Sequence, residues 1–376
     1  MMKSTFKNIL LLFIGWRILL ILFSVYSVFF VPVQQQFLGG GIIRNLGNPL
    51  IWSWANFDGE HYLSIALHGY KHWEQAFFPV YPILMRLLAI PFSLEDFKLV
   101  WTGLVVSNGS IFLAIVLLWK LVRLDYGKDI ATLTLIVLLS FPTSFYLGAV
   151  YNESLFLLLS VSSFYLARKG KWFSAGVLGA VSSATRIFGV LLLPALFIEA
   201  VTKKVSLKRY IWICLIPLGL FLYMLYQKLT VGDAFAFYKL RLLVGEQHQR
   251  GIVLLPQVFY RYAKILLSLS PASSIYQTVI LELVVGIMFT LLPIYGYFKK
   301  MRISYIFYLI AGFLSPTIQG SFSSVPRYVL AFFPAFILIA IFLNNRPSWL
   351  RISYLTLSLF WLGIETILFF RGYWVS

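Results

Sequence analysis

The chain has 376 residues, of which 60% are apolar and only 12% charged, and its mean hydropathy is +0.86. Soluble domains carry about 25% charged residues and disordered chains are poor in apolar and aromatic ones, so both classes are excluded and a polytopic membrane protein remains. The single cysteine, Cys214, excludes a disulfide framework and a multi-cysteine metal centre, and the net charge of +18 is first a question of membrane topology.

A membrane span needs about 20 mostly apolar residues. The first runs from Ile9 to Val31 behind Lys3 and Lys7, and reads as a retained anchor. Further apolar runs are Val100–Leu121, Ile130–Val150, Leu155–Ala167, Tyr210–Val231, Ala272–Tyr297 and Ile352–Phe370. Trp172–Ala200 carries Arg186 at its middle, Ile303–Leu343 is split by SPTIQGSFSSVPR, and Ala76–Phe92 holds three prolines and Arg86.

Cytoplasmic loops are enriched in Lys and Arg. With the N-terminus in the cytoplasm, the inner ends carry Lys3/Lys7, Lys120/Arg123/Lys128, Arg168/Lys169/Lys171, Lys203/Lys204/Lys208/Arg209, Lys299/Lys300/Arg302 and Arg346/Arg351. These are 17 of the 31 basic residues. The alternation requires Trp172–Ala200 and Ile303–Leu343 to be hairpins turning on the outer side, near Thr185–Arg186 and Thr317–Arg327. The expectation is an all-α polytopic protein of about eleven transmembrane helices, one domain over 1–376, with no nucleic-acid partner. Two outer segments, 32–98 and 232–271, exceed the usual loop length of about 12–15 residues. Their aromatic content predicts short interfacial helices.

Acidic residues are scarce, and eight of thirteen fall on the predicted outer side: Asp58, Glu60, Glu74, Glu95, Asp96, Glu153, Asp233 and Glu246. The densest cluster, NFDGEHYLSIALHGYKHWEQAFFPVYP, brings together Asp58, Glu60, His61, His68 and His72. In a helix from Asp58 to Leu67, Asp58 and His61 share a face, and Asp58 either caps that helix or does chemistry. His61 and His68 also share a face, in a spacing that matches no strong metal motif.

Arg186, in SSATRIFG, either holds an anion or pairs internally with Glu153. Arg327, in SSVPRYVL, opens a span and either binds an anion or snorkels. Asn152 and Glu153 open another span at the same level, where Glu153 complements a helix N-terminus or holds a sugar hydroxyl or an arginine. Glu282 and Glu365 lie inside spans and receive no role. Carboxylates and arginines thus gather at lipid-headgroup depth, which suits a lipid-linked phosphate substrate: guanidinium holds phosphate oxygens, and a carboxylate takes a proton from an attacking hydroxyl.

The segments Phe57–Tyr70 (FDGEHYLSIALHGY) and Ala76–Pro82 (AFFPVYP) resemble the first luminal loop of PIG-V-type mannosyltransferases. Weaker echoes follow in order at Phe141–Phe156, Arg168–Pro194 and Pro326–Phe336. Phe57 stands where the family has Trp, and Ile-Phe-Gly follows Arg186 where the family often has Ser-Asn-Gly. The resemblance implies a GT-C glycosyltransferase that inverts the anomeric carbon, takes its sugar from a polyprenyl- or dolichyl-phosphate donor, and works on the outer or luminal face. Its acceptor is lipid-linked or a glycan, and its tail-binding groove opens to membrane lipid.

The resemblance makes Asp58 the expected base, with Glu60 as alternative. Arg186, Arg327 and His61 are the expected donor-phosphate ligands, and Asn152, Glu153 and Tyr62 the expected substrate contacts. The scheme calls for no cofactor and no metal. The membrane is the plasma membrane in a prokaryote and the endoplasmic reticulum in a eukaryote. A lipid or lipid-linked sugar transporter or scramblase is the rival reading, and it predicts polar groups reached from both sides.

Overall fold

A computed structural model describes residues 2–34, 42–244 and 252–376. Every regular element among them is helical. In chain order these are α1 (Met2–Phe30), α2 (Ile42–Gly47), α3 (Pro49–Trp52), α4 (Asp58–His68), α5 (Val80–Ala89), α6 (Asp96–Ser140), α7 (Glu153–Arg168), α8 (Trp172–Ser183) and α9 (Leu192–Thr202). They continue as α10 (Tyr210–Ile213), α11 (Leu218–Val231), α12 (Ala236–Val244), α13 (Leu255–Ser268), α14 (Ser274–Phe298), α15 (Ile303–Thr317), α16 (Val325–Tyr328), α17 (Pro334–Asn344) and α18 (Ser348–Phe370).

Helix α6 has 45 residues by hydrogen bonding, which would stretch about 68 Å if straight. It is not straight. Gly127 adopts φ 84° and ψ −176°, a conformation only glycine takes without strain. The chain reverses there, so Trp119 Nε1 donates to Thr132 Oγ1 at 3.2 Å and Asn108 Nδ2 reaches Gly148 O at 3.4 Å. The two arms correspond to the runs expected from Val100 and from Ile130.

The second arm stops at Ser140, ten residues before the expected end at Val150. Phe141 precedes Pro142, which disfavours the helical region, and Phe141 is extended at ψ 140°. Residues 141–152 then form a buried, mostly irregular segment. Unpaired backbone in an apolar interior is costly, and side chains from other elements satisfy it. Arg17 Nη1 donates to Gly148 O at 3.2 Å and Ser107 Oγ to Tyr151 O at 3.1 Å. Val150 N donates to Trp54 O at 2.9 Å.

Helix α7 is the central post, packed between α6 and α8. Helix α17 is almost wholly buried, apolar all round, and lies against α6. Both expected hairpins break where the sequence indicated. Helix α8 ends before Arg186 and α9 follows, while α15 ends at Thr317 and the chain turns through Ser324 into α16.

Five described helices are long and apolar enough to cross a membrane, or six if the bent pair Val325–Ala331 and Pro334–Asn344 is one span. The distance from about eleven has two sources. Helix α6 counts once although it has two arms, and four apolar helices have only 10–17 residues. The long segment at 32–98 contains short helices, as expected, and so does the described part of 232–271. Glu246 and His248 lie outside the described residues.

Candidate active site

Helix α4 begins at Asp58 because the preceding turn is nailed down. Asn56 Nδ2 donates to Phe369 O at 2.9 Å, Tyr151 Oη donates to Asn56 O at 2.8 Å, and the Trp54 ring stands edge-on to Phe370. Phe57 is forced to φ 58°, a left-handed conformation uncommon for an aromatic residue. It takes the N-cap position, so Asp58 is the first helical residue and does not cap.

The Asp58 carboxylate faces an arginine. Arg327 Nη1 lies 2.7 Å from Asp58 Oδ2, and Arg327 Nε lies 3.5 Å from Glu153 Oε1. Arg186 Nη1 meets the same Glu153 oxygen at 2.7 Å and donates to Asn152 Oδ1 at 3.1 Å. Asn152 is fixed in turn, its Nδ2 donating to Thr185 O at 2.9 Å. The result is a chain of alternating charge, Asp58–Arg327–Glu153–Arg186.

Burial along that chain is uneven. The Glu153 side chain is 2% exposed and the two arginines 12% and 11%, whereas Asp58 is 33% exposed. Glu153 Oε2 has no hydrogen-bond partner. The guanidinium of Arg327 lies over Tyr146, Tyr151 and Tyr328 at 5.0–5.6 Å from the ring centroids. The Arg186 guanidinium lies 5.3 Å from the ring centroid of the same Tyr328. Such cation–π contacts hold a charge while leaving N–H edges for an anion.

Gly189, three residues after Arg186, has no room for a side chain: an added Cβ would stand 2.4 Å from Ser182 backbone carbon. That close approach lets the turn carrying Arg186 fold against the end of α8. The Ile-Phe pair before Gly189 makes the wall apolar, with Phe188 packed on Tyr328 and Phe332.

The structure brings Asp58, Arg186, Arg327, Asn152 and Glu153 together. It does not bring Glu60 or His61 into the cluster. Glu60 Oε2 pairs with Arg44 Nη1 at 3.2 Å, and Arg44 Nη2 holds Asp96 at 2.6 Å. Burial pushes the Glu60 carboxyl up, with Arg44 opposing. The His61 ring stacks on Phe77 at 4.6 Å, with Nδ1 3.9 Å from Glu74 Oε1. Burial alone would raise Glu74, but hydrogen bonds from His61, Ser64 and the Lys71 N–H outweigh it and hold Glu74 below its ordinary value. Tyr62 is buried against Phe77, Tyr81 and Tyr151 and packs beneath the site. Among the described residues no three His, Cys, Asp or Glu form a metal-binding group.

The aromatic floor of Tyr146, Tyr151 and Tyr328 did not emerge from the sequence reading. Its only signal was the tyrosines flanking LGAV and following Arg327, which look like packing residues until the cations are placed.

The helical architecture, with this cluster at one end of α7, defines a membrane protein of the GT-C fold class. Solved structures share the fold. The apo structure of ArnT from Cupriavidus metallidurans superposes with a TM-score of 0.54 at 15% identity, covering 92% of this chain and 62% of that one. The same protein bound to undecaprenyl phosphate gives 0.51 at 16%, covering 83% and 62%. An Archaeoglobus fulgidus oligosaccharyltransferase complex with zinc and sulfate gives 0.50 at 13%, covering 96% and 53%.

Residues 5–240 match the mannosyltransferase (PIG-V) family, and the chain belongs to it. The rat GPI alpha-1,6-mannosyltransferase 2 is 31% identical over 160 residues, which are 40% of this chain and 32% of that protein. Its mouse counterpart is 30% identical over the same coverage. The aligned stretch thus spans about a third of the curated relatives it matches. Asp58, Glu153 and Arg186 lie inside the family match, and Arg327 lies beyond it.

Proposed function

We propose that this protein is an inverting glycosyltransferase that moves a sugar, mannose, from a polyprenyl-phosphate sugar to a lipid-linked or glycan acceptor at the outer or luminal membrane face. The observation that carries the reading is the partly exposed Asp58 carboxylate held 2.7 Å from an arginine that is itself tied through Glu153 to Arg186. Family membership supports mannose. The fold relative bound to undecaprenyl phosphate supports a polyprenyl-phosphate donor. In this reading 1–376 is one catalytic domain, with 32–98 supplying the base.

The acceptor oxygen attacks the anomeric carbon as the anomeric carbon–phosphate oxygen bond breaks on the opposite face. Asp58 takes the acceptor hydroxyl proton, help worth roughly 10²–10⁴-fold. The departing phosphate gains a negative charge at the moment Asp58 loses its own. Arg327, whose pairing with Asp58 weakens on that protonation, then favours the phosphate, so the charge it stabilises migrates within the site. Arg186 is the second phosphate donor. Glu153 keeps the two guanidinium groups from repelling one another, and its free Oε2 suits a sugar hydroxyl. Preorganised donors of this kind are worth about 3–4 kcal/mol each.

The test is transfer of radiolabelled mannose from its polyprenyl-phosphate ester to membrane lipids by the purified protein in bilayers, compared with Asp58→Asn. Transfer by the wild type and loss in a variant of equal yield supports donor class and base together. A wild type that transfers no sugar from any polyprenyl-phosphate ester overturns the reading.

A further inference from the structure

Glu282 lies on α14, inside a span, with 4% of its surface exposed. Two hydroxyls converge on it. Tyr262 Oη donates to Glu282 Oε2 at 2.6 Å, and Ser376 Oγ donates to Oε1 at 2.6 Å. Each of these hydroxyls also accepts a backbone N–H from the turn that leads into α16. Phe322 N donates to Tyr262 Oη at 3.1 Å and Ser324 N to Ser376 Oγ at 3.1 Å. Ser324 N also lies 3.3 Å from Glu282 Oε1.

The turn they hold is strained. Ser324 has φ 59° and ψ 5°, left-handed backbone in a residue with a side chain. Its carbonyl then receives the amides of Arg327 at 3.1 Å and Tyr328 at 3.0 Å, so the strained residue launches the helical turn that aims Arg327 at Asp58. Phe322, fully buried against Phe259 and Tyr262, anchors the turn from below. Strain of this kind persists only where the surroundings over-determine it, and the surroundings here are a buried carboxylate with two hydroxyl relays.

We propose that Glu282 is a positioning residue for Arg327, acting through Tyr262 and Ser376 on the Phe322–Ser324 turn. The inference rests on the reading of Arg327 as a donor-phosphate ligand. Glu282 does not touch substrate. It sets where the guanidinium sits, and a misplacement near 1 Å costs roughly 10²-fold in rate.

The experiment compares wild type, Glu282→Ala, Glu282→Gln and the double variant Glu282→Ala/Ser324→Gly by two measurements. The first is amide hydrogen exchange, which needs no substrate. Glu282→Ala is expected to speed exchange across 322–328 while α7 stays protected. Glu282→Gln, which still accepts from Ser324 and Ser376, stays near wild type. The double variant regains protection, because glycine holds φ near +60° unaided. The second is steady-state transfer, where Glu282→Ala raises the donor KM and leaves the acceptor KM unchanged.

Unchanged exchange at 322–328 in Glu282→Ala overturns the proposal. So does faster exchange spread equally over α7, which marks a merely structural role. A wild type inactive with every polyprenyl-phosphate sugar overturns the functional reading, while the exchange pattern still decides whether Glu282 governs the Arg327 turn.

Discussion

Arg327 and Asp58, 269 residues apart in the chain, meet at 2.7 Å. The arginine comes from a four-residue helix after a strained turn and the aspartate from the first turn of α4. Asp58 follows a two-residue turn tied to α18 and to Tyr151 of the irregular segment 141–152, and Arg327 follows the Ser324 turn tied to Glu282 of α14, so the contact depends on packing from all three.

Glu153 is the anion common to both arginines. Glu153→Gln removes the charge and leaves Arg186 without a carboxylate partner in a buried site. Breaking one member of a buried pair costs about 3–5 kcal/mol. The expected outcome is a clear fall in thermal midpoint together with near-complete loss of transfer. A melt that matches wild type contradicts the central place of Glu153.

Glu60 separates the two candidate bases. Because it faces Arg44 rather than Arg327, Glu60→Gln is expected to retain transfer within a few-fold while Asp58→Asn loses roughly 10²–10⁴-fold. Loss of activity in Glu60→Gln at wild-type folding moves the base to Glu60.

The same variant carries a pH signature. Burial raises the folded value of Glu60 above its ordinary 4.5, so the folded state holds the proton more tightly than the unfolded one. That contribution is present below the unfolded value and is lost as pH rises through the folded value. Melting curves from pH 4 to 8 should therefore show Glu60→Gln gaining on wild type as pH rises. A constant gap refutes the assignment.

Glu74 has the opposite sign. Its hydrogen bonds from His61, Ser64 and Lys71 hold the folded value below 4.5, so its stabilisation is present above the unfolded value and lost as pH falls through the folded one. Glu74→Gln should melt below wild type at neutral pH, with the difference closing in acid. A gap that widens in acid refutes it.

The far end of α7 carries a second charge cluster. Asp125 accepts from Arg168 Nη2 at 2.8 Å and Arg302 Nη2 at 2.9 Å, and Glu199 lies 3.3 Å from Arg168 Nε. Asp125→Asn is expected to lower stability by about 3 kcal/mol without changing the donor KM of the folded protein. A changed donor KM at full stability means that the cluster communicates with the site.

Much of the candidate site was legible residue by residue. FDGEH drew Asp58 and Glu60 into one cluster, the family resemblance put Asp58 first, and an arginine within an apolar run singled out Arg186, because charge at that depth demands a reason. The pairings were not legible, since nothing local links Asp58 to Arg327. Glu60 stood as the alternative base, and only the structure turns it toward Arg44, on another side of the helix from Asp58. The early end of the Ile130 run was readable from Pro142 and was missed because the apolar pattern continues past it. Glu282 was seen but had no partner in the sequence, and its partners lie on α13 and beyond α18.

The span of the Asp58–Arg327 contact also fixes an order of events during synthesis. A chain made from its N-terminus can join Arg186 to Glu153 almost at once, since they are only a helix hairpin apart. Asp58 must wait until residue 327 has been made. During that wait the Asp58 carboxylate lacks the arginine that it meets in the finished fold. The Asp58–Arg327 pair therefore closes late, after the Arg186–Glu153 pair to which Arg327 joins it.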